Sequence, residues 1–172
     1  MNLKFAVIPL GICLFGSALS MDYKNAQNVE YSEPQKAAIT NFVNEVGCAW
    51  TLEVKRTNNE IDPEPRRDRS ILLSELGREM SVHPAQYSQA GFVYYSSLRD
   101  FRNHPSECTY KRCLKAQLKM GVLDLESLEA VSRPGYRWGT FGRRVFVPTP
   151  NKMLELLPDL IETLGLTVYS KV

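Results

Sequence analysis

From Ser32 onward, apolar residues recur at helical spacing in stretches closed off by proline, glycine or a capping side chain, and this pattern most constrains the fold. Such spacing gathers apolar groups on one helix face, and that face must be buried against another element. In the first stretch Ser32 and Gln35 stand in a capping-box arrangement and Pro34 suits the first turn. Ile39, Phe42, Val43 and Val46 follow, with Gly47 as the expected stop. A second helix is expected from about Pro65 to Met80, presenting Ile71, Leu72, Leu76 and Met80. A third has Pro84 in its first turn and Tyr87, Gly91, Tyr94, Leu98 and Phe101 on one face. A fourth starts at Ser106, presents Tyr110, Cys113, Leu114 and Leu118, and ends at Gly121. Asp124 caps a short fifth helix, "LESLEAV". In the last, Thr149 is the cap, Pro150 takes the first position, and Met153, Leu154, Leu157, Leu160, Ile161 and Leu164 share a face. Pro158 should kink or divide it.

Strands are short and scattered. Cys48, Trp50, Leu52 and Val54 alternate with polar or small residues, which reads as a strand with "RTNNE" as its turn. "RPGYRWGTFGRR" followed by "VFV" reads as a β-hairpin, with Tyr136, Trp138, Val145 and Val147 on the buried face. "LTVYSKV" closes the chain as a terminal strand. Five or six helices, short strands and a hairpin in the C-terminal half make a helix-rich α+β fold.

The first 20 residues, "MNLKFAVIPLGICLFGSALS", have a different character. Lys4, an apolar run from Phe5 to about Phe15, and small residues at Ala18 and Ser20 have the layout of a secretory signal cleaved after Ser20. The run is shorter than the roughly 20 residues of a membrane span, so a retained anchor is the lesser reading. The expected organisation is a signal at 1–20, a flexible polar lead at 21–31 and one globular domain over 32–172. The protein would be exported, to the periplasm or beyond, with no stable membrane span once cleaved.

Bulk charge names no partner, since removing Lys4 takes the formal charge from +2 to about +1. Its distribution says more. Between Phe101 and Val145 nine Lys or Arg face four Asp or Glu. Within that region Arg133, Arg137, Arg143 and Arg144 crowd the exposed side of the expected hairpin, and Phe141 sits at its tip. Guanidinium groups around an exposed ring suit stacking and bidentate contact with carboxylate or phosphate. The expected function is therefore a small binding protein whose hairpin contacts an anionic or protein component of the cell envelope.

Other chemistry is less well supplied. Three cysteines lie beyond Ser20: Cys48, Cys108 and Cys113. Export favours a disulfide, and residues five apart on a helix are too far and too splayed for Cys108 to reach Cys113, so Cys48 with one of the two is expected. His104, Cys108 and Cys113 lack the paired spacing and fourth ligand of a zinc site, and no metal or cofactor is expected. "EIDPEPRRDR" places Glu60, Asp62 and Glu64 before Arg66, Arg67 and Arg69, which reads as a solvated, self-compensating face. Tyr94, Tyr95 and Phe101 read as core rather than a sugar site.

No nucleophile elbow, zincin helix, P-loop or dinucleotide turn occurs. A small envelope hydrolase would have to use His83 or His104 with a Ser, Cys or carboxylate partner. A further alternative is an accessory subunit held by the apolar face from Met153 to Leu164. The order of fourth helix, short helix and basic hairpin also resembles a winged helix, but export and the acidic character of "LESLEAV" argue against nucleic acid.

Overall fold

The computed structural model describes residues 22–57, 67–132 and 149–170. Among them are six α-helices and one two-stranded parallel sheet, so the helix-rich α+β expectation holds. Helix α1 spans Glu33–Thr57, α2 Arg67–Val82, α3 Gln89–Asn103, α4 Glu107–Lys119, α5 Leu125–Ser132 and α6 Asn151–Leu164. Strand β1, Val122–Asp124, pairs with β2, Thr167–Tyr169. The expected hairpin and residues 58–66, which include Glu60, Asp62, Glu64 and Arg66, lie outside the described residues.

The largest departure from expectation is α1, which runs straight through Gly47 and takes in the segment read as a strand. Trp50 and Val54 satisfy both a two-residue period and the helical continuation of Phe42, Val43 and Val46. Cys48 and Leu52 satisfy only the former, and both are exposed, Leu52 at 58%. The helical face is the buried one: Val43 and Val46 are fully inside and Trp50 is 3% exposed. Trp50 stacks on Tyr110 at 5.1 Å and meets the edge of Phe101 at 5.7 Å, which ties α1 to α3 and α4. Gly47 serves close approach rather than termination, since a Cβ there would overlap the Lys111 side chain of α4.

Local signals placed most helix ends. Ser106 caps α4 in a full capping box with Thr109, and Asp124 Oδ1 accepts from the backbone N–H of Ser127 in the first turn of α5. A 3-10 turn over Pro84–Gln86 is separated from α3, whose cap is Ser88, so Pro84 opens the turn and not the helix. At α6 the cap comes from another helix. Thr149 does not cap; Glu53 on α1 accepts from the backbone N–H of Asn151 at 2.9 Å. Pro158 does not divide α6, which runs unbroken to Leu164.

Residues 22–31, expected as a loose lead, carry no regular helix or strand and are mostly exposed, but are anchored to the core at a few points. Tyr23 is 4% exposed and stacks on Tyr94 at 5.3 Å. Val29 N–H donates to the Lys119 carbonyl, and Tyr31 Oη donates to the Leu118 carbonyl at 2.7 Å. The helical core thus needs a strap that its own periodicity does not announce.

β1 has no periodic signature to announce it, being three residues, all buried, directly after Gly121. Gly121 ends α4 with φ 72, a left-handed conformation that glycine adopts without strain, and turns the chain into β1. Val122, Leu123 and Asp124 align with Thr167, Val168 and Tyr169, so the terminal strand pairs with a distant segment in parallel.

Candidate functional site

Arg133, Arg137, Phe141, Arg143 and Arg144 all lie outside the described residues. Within the described part of the basic region the cations concentrate on α4, which carries Lys111, Arg112, Lys115 and Lys119 against one carboxylate, Glu107. Its period divides them. Lys111 is drawn toward α1 by Glu107, at 2.7 Å, and Glu107 also accepts from Thr51 Oγ1 at 2.9 Å. The Lys111 hydrogen bond, with help from Thr51, holds the Glu107 carboxyl below its ordinary range. Arg112, Lys115 and Lys119 point the other way and line an open groove of about 440 Å³ between α3 and α4.

Val93 and Ala116 supply the apolar part of this groove, with Ser96 and Ser97 from α3. Val93 is 47% exposed, large for a valine on a packed helix pair. Small residues where α3 and α4 meet leave the concavity open, because Ser97 and Ala116 fill little of the space between the helices. Asp100 lies at one end, 3.6 Å from Arg112, an exposed and weak pair. Lys115 and Lys119 make no ion pair among the described residues. From Arg112 to Lys119 the cationic rim extends about 10 Å at 1.5 Å per residue. Chemically, this is an apolar trough with positive charge along one edge.

The cysteines are held apart. Cys48 Sγ lies 3.8 Å from Glu107 Oε1 and Cys108 Sγ lies 4.0 Å from Arg112, both exposed, while Cys113 is buried in the core. No two of them stand at bridging distance, so the expected bridge from Cys48 to Cys108 or Cys113 is not formed here. The reason is helical: with 33–57 continuous, Cys48 faces Glu107, and Cys108 is turned about 100° around α4 from that residue. Burial pushes the Cys113 thiol far above its ordinary value, which leaves it a packing group.

His83 precedes the 3-10 turn and makes no side-chain capping bond, and His104 is the C-cap of α3. Both are exposed, and neither is brought to a Ser, Cys or carboxylate by a hydrogen bond among the described residues. His104, Cys108 and Cys113 do not converge. Tyr94 and Phe101 are fully buried core, as their spacing suggested. Arg99 lies over the half-buried ring of Tyr95 at 6.0 Å.

A second polar cluster is closed to solvent. Asp124 accepts from Tyr94 Oη at 3.1 Å and Ser127 Oγ at 2.7 Å, and Gln117 both accepts from the Asp124 N–H and donates to Tyr94 Oη. All four residues are buried, so the cluster joins α3, α4, β1 and α5 as an internal tie. The groove is the feature missed from sequence. Its signal was present as cations at i, i+3 and i+7 of α4, but the exposed Val93 and the serines beside it come from α3.

Comparison with protein-family models, with curated proteins and with solved structures returns no match to this chain.

Proposed function

We propose that this is an exported binding protein, periplasmic or secreted, which contacts an acidic partner in the cell envelope through the α3–α4 groove. The Arg133 to Arg144 segment, by its sequence of Arg133, Arg137, Phe141, Arg143 and Arg144, is proposed to contact the same partner. One observation carries the reading. Lys115 and Lys119 stand along an apolar concavity and make no ion pair among the described residues, the one carboxylate that lines it, Asp100, being paired with Arg112. Lysines scattered on a surface are solvated and need no partner. Lysines edging an exposed valine offer charge and apolar area together, which is the composition of a contact patch. Export rests on residues 1–20; no helix among the described residues is long and apolar enough to cross a membrane. A histidine-based hydrolase receives no support from the surface positions of His83 and His104.

The test is a binding isotherm with a labelled, glutamate-rich amphipathic peptide. Lys115→Ala with Lys119→Ala should raise Kd by about tenfold, two charge contacts of roughly 0.7 kcal/mol each. Arg137→Ala, Arg143→Ala and Arg144→Ala together should add to that loss. An affinity unchanged in both variants sinks the proposal. N-terminal sequencing of the envelope fraction should begin at Met21.

A further inference from the structure

The outer face of α6 carries the chemical complement of the groove. Leu154 and Ile161, 54% and 36% exposed, make an apolar stripe one heptad long. Glu155, Asp159 and Glu162 are exposed beside it. Helix geometry sets the two stripes side by side, with Pro158 between them. Glu155 is paired with Lys152 at 2.9 Å, whereas Asp159 and Glu162 make no ion pair among the described residues. The inner face is spent on the core, where Met153 is fully buried and Leu160 is 4% exposed.

The spacings also agree. Arg112 to Lys119 and Glu155 to Glu162 are both seven residues, about 10 Å of helix. Each charged row runs beside an apolar strip: Val93 and Ala116 in the groove, Leu154 and Ile161 on α6. We infer that the groove receives α6 of a second copy of this chain. The inference rests on the reading of the groove as a site for an acidic partner and names that partner. In one molecule α6 packs on α1 and lines no part of the α3–α4 groove, so the two surfaces do not meet within it. The contact is therefore between molecules and heterologous, and each copy offers one groove and one helix. Assembly extends as a chain or closes as a ring. A bilayer surface suits the site less well, since it is flat and the site is a concavity between two helices. Asp100 tunes the contact by holding Arg112 at one end of the rim and leaving Lys115 and Lys119 for incoming carboxylates.

Sedimentation velocity on the purified protein at low salt should show an average mass that rises with concentration, and about 0.5 M NaCl should suppress the rise. Lys115→Glu with Lys119→Glu should weaken association at least about tenfold, as should Asp159→Lys with Glu162→Lys. A chain carrying all four reversals should associate again, because opposite charges once more face each other. Circular dichroism and Tm establish that each variant is folded. A wild-type protein that stays monomeric at every concentration overturns the inference, and so does a folded fourfold variant that fails to recover. If that happens while Lys115→Glu with Lys119→Glu still abolishes acidic-peptide binding, the groove reading survives and only the second copy as occupant falls. If peptide binding is also unaffected, both fall.

Discussion

The hydroxyl of Tyr94 donates to the carboxylate of Asp124 at 3.1 Å, joining residues 30 apart in the chain at a point with no solvent access. The same carboxylate caps α5, so one side chain fixes a helix start and a helix–helix distance together. Removing it leaves the Tyr94 and Ser127 donors buried without their acceptor. Asp124→Ala should cost roughly 3 kcal/mol, from unsatisfied polar groups rather than lost area. Asp124→Asn keeps the shape and one carbonyl oxygen and should cost about 1 kcal/mol. Urea unfolding monitored by circular dichroism measures both, and equal costs for the two variants would contradict this account.

Tyr23 tests whether the N-terminal segment is a strap. Its ring is 4% exposed against Tyr94, and its carbonyl accepts from the backbone N–H of Ser88. Tyr23→Ala should destabilise the protein by about 3 kcal/mol, the cost of emptying a buried aromatic site. A loose lead would tolerate the change with no shift in the unfolding midpoint.

The three described thiols should separate by reactivity. Cys48 and Cys108 are exposed and should label with a maleimide in the native protein within minutes. Cys113, buried and with its thiol raised by burial, should label only in denaturant. Peptide mapping by mass spectrometry reads the order directly. Rapid native labelling of Cys113 would contradict its place in the core.

Glu107 gives a pH signature at the α1–α4 contact. Its carboxyl is held below the ordinary range first by the hydrogen bond from Lys111, then by that from Thr51. A lowered folded-state pKa means stability that is complete above the unfolded carboxylate pKa and is lost as pH falls through the folded one. Glu107→Gln should therefore destabilise near neutrality and make little difference at about pH 2 to 3. The site is partly exposed, so the effect is small, and stability curves of the two proteins that run parallel across this range would rule it out.

Helix position was largely legible because its determinants are local. Ser106 and Thr109 specify the start of α4 within four residues, and Gly121 specifies its end. The error at Cys48 to Val54 was also local in origin: Trp50 and Val54 fit two periods, and the exposed Cys48 and Leu52 mimicked the buried face of a strand. The packing of Trp50 on Tyr110 and Phe101, contributed by helices far along the chain, selects helix over strand. Half of the candidate site was similarly visible, as the cations of α4. The other half, Val93 and the serines of α3, became part of it through packing.

By itself the sequence determined most of the helical segments, where most of them begin and end, and where positive charge accumulates, because caps, periods and charge act over a few residues. Tertiary structure decided that α1 continues past Gly47, that residues 22–31 strap the core, that β1 exists, and that Arg112, Lys115 and Lys119 edge an apolar groove. Each of those depends on a surface supplied by a distant part of the chain, and no short-range preference can encode which surface will arrive.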